Sequence, residues 1–126
     1  MIEQITIMKE NAIPSCKWET ISNTTEKYID KYGYNNVEAI NILCQGLYLT
    51  CNTISILEKA TKWMQKITED NDQYTYMNTY ASLLYKTQKY ADAKTWAEKA
   101  IDYGKKHGKD VRSTKELLEM IKIKMQ

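Results

Sequence analysis

Apolar residues recur along this chain at spacings of three and four, and short polar clusters interrupt them at regular intervals. That period lines up side chains on one face of a helix. Trp18, Ile21, Tyr28 and Ile29 form the first stripe. It predicts a helix over 16–32, with Ser15 as N-cap after Pro14 and Gly33 where a left-handed C′ residue is wanted. A second stripe is Val37, Ile40, Leu43, Cys44 and Leu47, opened by Asn35-x-x-Glu38, a capping box, and failing near Cys51-Asn52-Thr53. Ser55-x-x-Glu58 opens a third helix on Leu57, Ala60, Trp63, Met64 and Ile67.

The turn cluster Asp70-Asn71-Asp72 caps a fourth helix carrying Met77, Tyr80, Ala81 and Leu84. A tight connection at Thr87-Gln88-Lys89 leads to a fifth, with Ala93, Trp96, Ala97 and Ala100 buried; Gly104 weakens its end and Gly108 stops it. Ser113-x-x-Glu116 is a third capping box and opens a last helix over 113–125 through Leu117, Leu118, Ile121 and Met125. No stretch alternates with period two, so no strand is expected. Residues 1–14 form a lead-in whose Ile2, Ile5 and Met8 suit either a short helical stripe or an extended segment.

The helical pattern repeats. Ala60-Thr61-Lys62-Trp63-Met64-Gln65-Lys66-Ile67 recurs in outline as Ala93-Lys94-Thr95-Trp96-Ala97-Glu98-Lys99-Ala100, and Asn41, Leu47 and Tyr48 have counterparts in Asn78, Leu84 and Tyr85. A period of this size marks an array of helical hairpins, whose units bury a face only by stacking on one another. The expected fold is therefore all-α.

Length and composition narrow the function. With 126 residues the chain makes one domain with a genuine core. No run approaches the ~20 apolar residues of a membrane span, so no membrane insertion is expected. Met1 to Ala12 includes Glu3 and Glu10 and no basic segment, unlike a secretory leader. The net charge is +2, with basic residues gathered at Lys105, Lys106, Lys109, Arg112 and Lys115. No aromatic or glycine-rich element interleaves them, so the cluster reads as a solvated helix end and no nucleic-acid partner is expected.

Cys16, Cys44 and Cys51 form no C-x-x-C pair and, with the single His107, no zinc set. They read as buried or half-buried thiols, and His107 as a C-terminal cap. Trp18, Trp63 and Trp96 read as packing between helices. No nucleophile–base constellation can be assembled, so no catalytic residue, metal or cofactor is expected.

Residues 74–107 resemble a tetratricopeptide repeat. Counted from Tyr74, the family's small residues fall on Ala81, Ala93 and Ala100, and Tyr90 takes a usual hydrophobic position. Ala97 and Lys105 depart from the pattern, where a large aromatic and a proline are usual. Residues 38–70 match more loosely, with Cys44 as the small residue. The resemblance implies antiparallel hairpins stacked as a short right-handed solenoid: a first helix, a degenerate repeat over 35–70, a clearer one over 72–107 and a capping helix.

Asn78-Thr79-Tyr80-Ala81-Ser82-Leu83-Leu84-Tyr85-Lys86, with Trp96-Ala97-Glu98-Lys99-Ala100-Ile101 and Ser113-Thr114-Lys115-Glu116-Leu117-Leu118, is also similar to the helical C-terminal region of some bacterial thioredoxin-like proteins. That likeness implies an accessory domain docking onto a thioredoxin fold absent from this chain. The compartment stays open: periplasmic for a fragment of an exported protein of that kind, cytoplasmic otherwise.

Tetratricopeptide arrays line a concave groove with the first helix of each hairpin. Carried over, the resemblance implies a protein or peptide partner held by Asn41, Gln45 and Tyr48 on one helix and Asn78, Ser82, Tyr85 and Lys86 on another. Spacings of four and seven put each set on one helical face, and Asn supplies both donors and acceptors for a peptide backbone. The competing reading makes these solvated polar faces, with Tyr48 and Tyr85 packed between hairpins.

Overall fold

The computed structural model describes residues 15–126, with side chains from Lys17 onward. The expected lead-in, the Ser15 cap and the Cys16 thiol lie outside what is described. Six helices follow in order: α1 (Ser15–Tyr32), α2 (Val37–Thr50), α3 (Ile54–Asp70), α4 (Tyr74–Lys86), α5 (Tyr90–Lys106) and α6 (Arg112–Lys124). No strand occurs among the described residues, and the all-α expectation holds. No helix among them is long and apolar enough to cross a membrane.

Backbone conformation ends the helices where turn chemistry allows. Gly33 stops α1 at φ 73, its N–H bonded to Ile29 O at 2.7 Å. Between α4 and α5, Gln88 takes φ 65, a left-handed conformation that glycine adopts at no steric cost. Lys89 N then closes on Leu84 O at 2.8 Å, folding α5 back along α4. His107 caps α5 with Nδ1 2.8 Å from Tyr103 O, and its ring stacks on Tyr103 at 4.0 Å.

The three expected capping boxes do not form. α2, α3 and α6 start after Asn36, Thr53 and Val111, and none of these makes a side-chain cap bond. Ser55 and Ser113 lie inside the first turn instead. Burial sets these starts: Ile56, Val111 and Thr114 are sealed in the interior, and tertiary packing overrides a cap bond of ~1 kcal/mol. Asn35 turns back to donate to Tyr32 O at the end of α1. α4 likewise starts after Gln73, not within the Asp70-Asn71-Asp72 cluster.

Each helix from α2 to α6 packs on its chain neighbours, and α1 on α3, α2 on α4 and α4 on α6. The even-numbered helices therefore stand side by side in a row. Ala93, Ala97 and Ala100 of α5 are fully buried, as short side chains must be where two helices approach closely. The main core joins Trp18, Leu43, Leu57, Met64, Leu83 and Ile121. A smaller cluster of Tyr74, Met77, Ala100, Ile101 and Val111 ties α4 and α5 to the start of α6. Trp18 and Trp63 are buried, and Trp96 meets Tyr80 edge-on at 5.1 Å.

Two expectations are corrected. Gly104 is a packing residue, not a weak point: a Cβ there would lie 2.4 Å from Val111 Cγ1 and 3.0 Å from Tyr74 Cδ1. Met125 is exposed, because it is the C-cap after α6 and has left the helical stripe.

Candidate functional site

The row α2, α4, α6 bounds a groove of about 380 Å³. Gln45, Tyr48 and Leu49 line it from α2; Asn78, Thr79 and Ser82 from α4; and Ser113, Glu116, Leu117 and Met120 from α6. Leu49 is 75% exposed and Met120 40%, so each side offers an aliphatic side chain to whatever enters.

Hydrogen bonds on the α4 wall leave it with defined polarity. Thr114 Oγ1 donates to Asn78 Oδ1 at 2.7 Å. A hydroxyl has one hydrogen, so the bond between Tyr74 Oη and Thr114 Oγ1 must have Tyr74 as donor. The relay Tyr74 → Thr114 → Asn78 turns the Asn78 carbonyl toward α6. Its Nδ2, with two N–H donors, has no partner among the described residues. Ser82 Oγ spends its hydrogen on Asn78 O at 2.8 Å and keeps lone pairs to accept with. Thr79 Oγ1 donates to Thr75 O at 2.9 Å and accepts from Gln45 Nε2 at 3.5 Å. Gln45 Oε1 is left as a second acceptor.

Lys86 is not among the lining residues but contacts one of them, Tyr48. Its Nζ donates to Tyr48 O in the last turn of α2, satisfying a carbonyl with no partner inside that helix, and lies 5.7 Å from the Tyr48 ring centre. Burial pushes the Lys86 pKa down. Burial, and then the neighbouring Tyr85, push that of Tyr48 up, so its phenol stays neutral.

Among the described residues, Glu116 is the one formally charged side chain lining the groove. Arg112, one turn earlier, is occupied: it holds Asp110 through Nε and Nη2, the latter at 2.7 Å from Oδ2. Those bonds lower the Asp110 pKa to about 2.

Four of the seven residues implied for partner binding, Gln45, Tyr48, Asn78 and Ser82, thus share one groove, and Lys86 touches it only through Tyr48. Tyr85 is half-buried and packs on Tyr90 across the α4–α5 hairpin, ring centres 5.9 Å apart. Asn41 is a correction: it is 1% exposed, with its Oδ1 buried and unpartnered. It lies on the α2 face between Glu38 and Gln45, which bond to Tyr76 and Thr79 of α4, so α4 packs over that face and Asn41 opens onto no surface.

The residues missed are Leu49, Thr79 and the whole α6 contribution. Reading α6 as a cap drew attention only to its buried stripe. The signal was Met120, an aliphatic residue off the Leu117/Ile121 line, as Leu49 stands off the Leu43/Leu47 line.

Cys44 is fully buried, its thiol 3.9 Å from Ala60 O, and burial pushes its pKa far up. No three His, Cys, Asp or Glu side chains among the described residues converge as metal ligands. No protein-family model matches the chain, and neither a curated protein nor a solved structure is significantly similar to it.

Proposed function

We propose that this chain is a non-catalytic interaction module, a short tetratricopeptide-like array that holds a protein or peptide segment in the groove between α2, α4 and α6. In this reading α2–α3 and α4–α5 are the two stacked hairpins, α1 flanks the first and α6 completes the row. The observation that carries it is the α4 wall: Asn78 presents N–H donors that no described residue engages, beside the acceptors of Ser82 and Gln45 and between the exposed aliphatic chains of Leu49 and Met120. An extended peptide offers the complementary set, alternating N–H and C=O groups with side chains at the flanks. The volume suits a few residues of a chain rather than the face of a folded domain.

The test is selection of displayed random peptides on the intact protein, with a Leu49→Ser/Met120→Ser variant as counter-screen. Both positions are exposed, so the variant should keep its melting temperature. Enriched peptides should lose about tenfold or more in affinity for it. Failure to enrich any sequence, or equal binding to both proteins, overturns the reading.

A further inference from the structure

The groove has an electrostatic feature that the peptide reading does not use. Among the described residues that line it Glu116 is the one formal charge, and it makes no ion pair within 4 Å there; Arg112, one turn earlier, is near enough to feel its charge but is bonded to Asp110. Three nearby cations have nearer partners than Glu116: Arg112 bonds Asp110 at 2.7 Å, Lys122 pairs with Glu119 at 3.7 Å, and Lys86 donates to the Tyr48 carbonyl. With Arg112 balanced by Asp110, the Glu116 carboxylate leaves a net negative charge beside aliphatic walls, which selects a cation, since a like charge brought there meets both repulsion and lost hydration.

Spacing adds a second constraint. Glu116 and Met120 are one turn apart on the same side of α6, both lining the groove, which separates them by ~6 Å along the axis. In an extended chain, side chains two residues apart point the same way and stand ~6.6 Å from each other. We propose, resting on the peptide reading above, that the groove takes an extended segment carrying Lys or Arg two residues from a Leu, Ile or Met. The basic side chain pairs with Glu116 and the aliphatic one packs between Met120 and Leu49. The intervening residue leaves its backbone to Asn78 and Ser82.

Bulk charge does not mimic this preference. The protein carries a net +2, so its overall field disfavours basic peptides, and any preference for them must arise locally.

The experiment is fluorescence anisotropy on the full chain with labelled peptides sharing a Gly-Ser frame. Their centres are Leu-Thr-Lys, Lys-Thr-Leu, Leu-Thr-Glu and Ser-Thr-Lys. One of the first two should bind, with the Glu peptide and the Ser peptide each about tenfold weaker or worse. Glu116→Gln should abolish the Lys-over-Glu preference and Glu116→Lys should invert it, both with an unchanged far-UV circular dichroism spectrum. If acidic and basic peptides bind alike, or the preference survives in Glu116→Gln, the charge assignment is wrong while the peptide groove stands. If none of these peptides binds but display selection succeeds, the motif is wrong and the groove again stands. If neither yields a ligand, both fall. A dimer that Met120→Lys dissociates, with no peptide bound, means a second copy covers the groove and overturns the proposal.

Discussion

Thr114 of α6 is tied to Asn78 of α4 by a 2.7 Å hydrogen bond from Oγ1 to Oδ1, and the same oxygen accepts from Tyr74 one turn earlier on α4. One buried hydroxyl thus fixes the α4–α6 contact and the orientation of the groove's central amide. Thr114→Val keeps shape but strands two polar groups, and should cost about 1–3 kcal/mol in urea denaturation. Tyr74→Phe should cost less alone, and little more once Thr114 is Val, because the two share one network. Full additivity in that double-mutant cycle argues against the relay.

Gly104 tests the second cluster. In a helix, Gly→Ala normally gains ~1 kcal/mol. Here the new methyl falls 2.4 Å from Val111 Cγ1, and overpacking of this kind costs about 1–3 kcal/mol. Clash should win: Gly104→Ala should melt below wild type, and Gly104→Ala/Val111→Ala should recover part of the loss. A melting temperature above wild type means that α6 yields freely and the cluster does not hold it.

These two sites show what the sequence could and could not convey. Helix faces were legible because the three–four spacing of Leu57, Ala60, Met64 and Ile67 is a local property, and each of these is buried. Ala93 and Ala100 were legible for the same reason, as small residues on an amphipathic face. Helix starts were not, because Ser55 and Ser113 compete with packing at Ile56 and Thr114, which only the assembled core decides. Gly104 looked like a weak helix end because its neighbours, Tyr74 and Val111, come from other helices. The groove was half legible: periodicity put Gln45 with Tyr48 and Asn78 with Ser82. It could not tell that the α2–α4 contact closes over Asn41 and leaves Gln45 open.

Cys44 gives a pH prediction. Its thiol is fully buried and its folded pKa lies far above the ordinary 9.0. The folded thiol stays protonated while the unfolded one ionises. Its contribution to stability is therefore complete below pH 9.0 and declines as pH rises beyond it, by about 1.4 kcal/mol per unit once ionisation is well advanced. Tyr48, Tyr76 and Tyr80, also raised mainly by burial, act in the same direction above their ordinary 10.0. The comparison is therefore the stability slope between pH 8 and pH 10 in wild type and in Cys44→Ala. The variant should lose about 1.4 kcal/mol less across that window, whatever its cavity costs at neutral pH. Identical slopes, or rapid thiol labelling of Cys44 in the folded protein, contradict its burial.

Asn41 separates a structural asparagine from a binding one. The repeat pairs it with Asn78, yet Asn78 borders the groove and Asn41 is sealed with its Oδ1 unpartnered. A buried carbonyl oxygen without a donor is a liability of about 1–3 kcal/mol that a similarly shaped apolar side chain removes. Asn41→Leu should therefore leave stability unchanged or raise it by ~1 kcal/mol, as urea denaturation would report. It should also leave the affinity for selected peptides within about twofold, whereas Leu49→Ser/Met120→Ser loses it. Were Asn41 a recognition residue, the outcome would be reversed: stability little altered and binding lost. The two measurements together decide whether the repeated asparagine serves one purpose at both positions or, as its burial argues, has been absorbed into the α2–α4 interface in the first copy and left to the groove in the second.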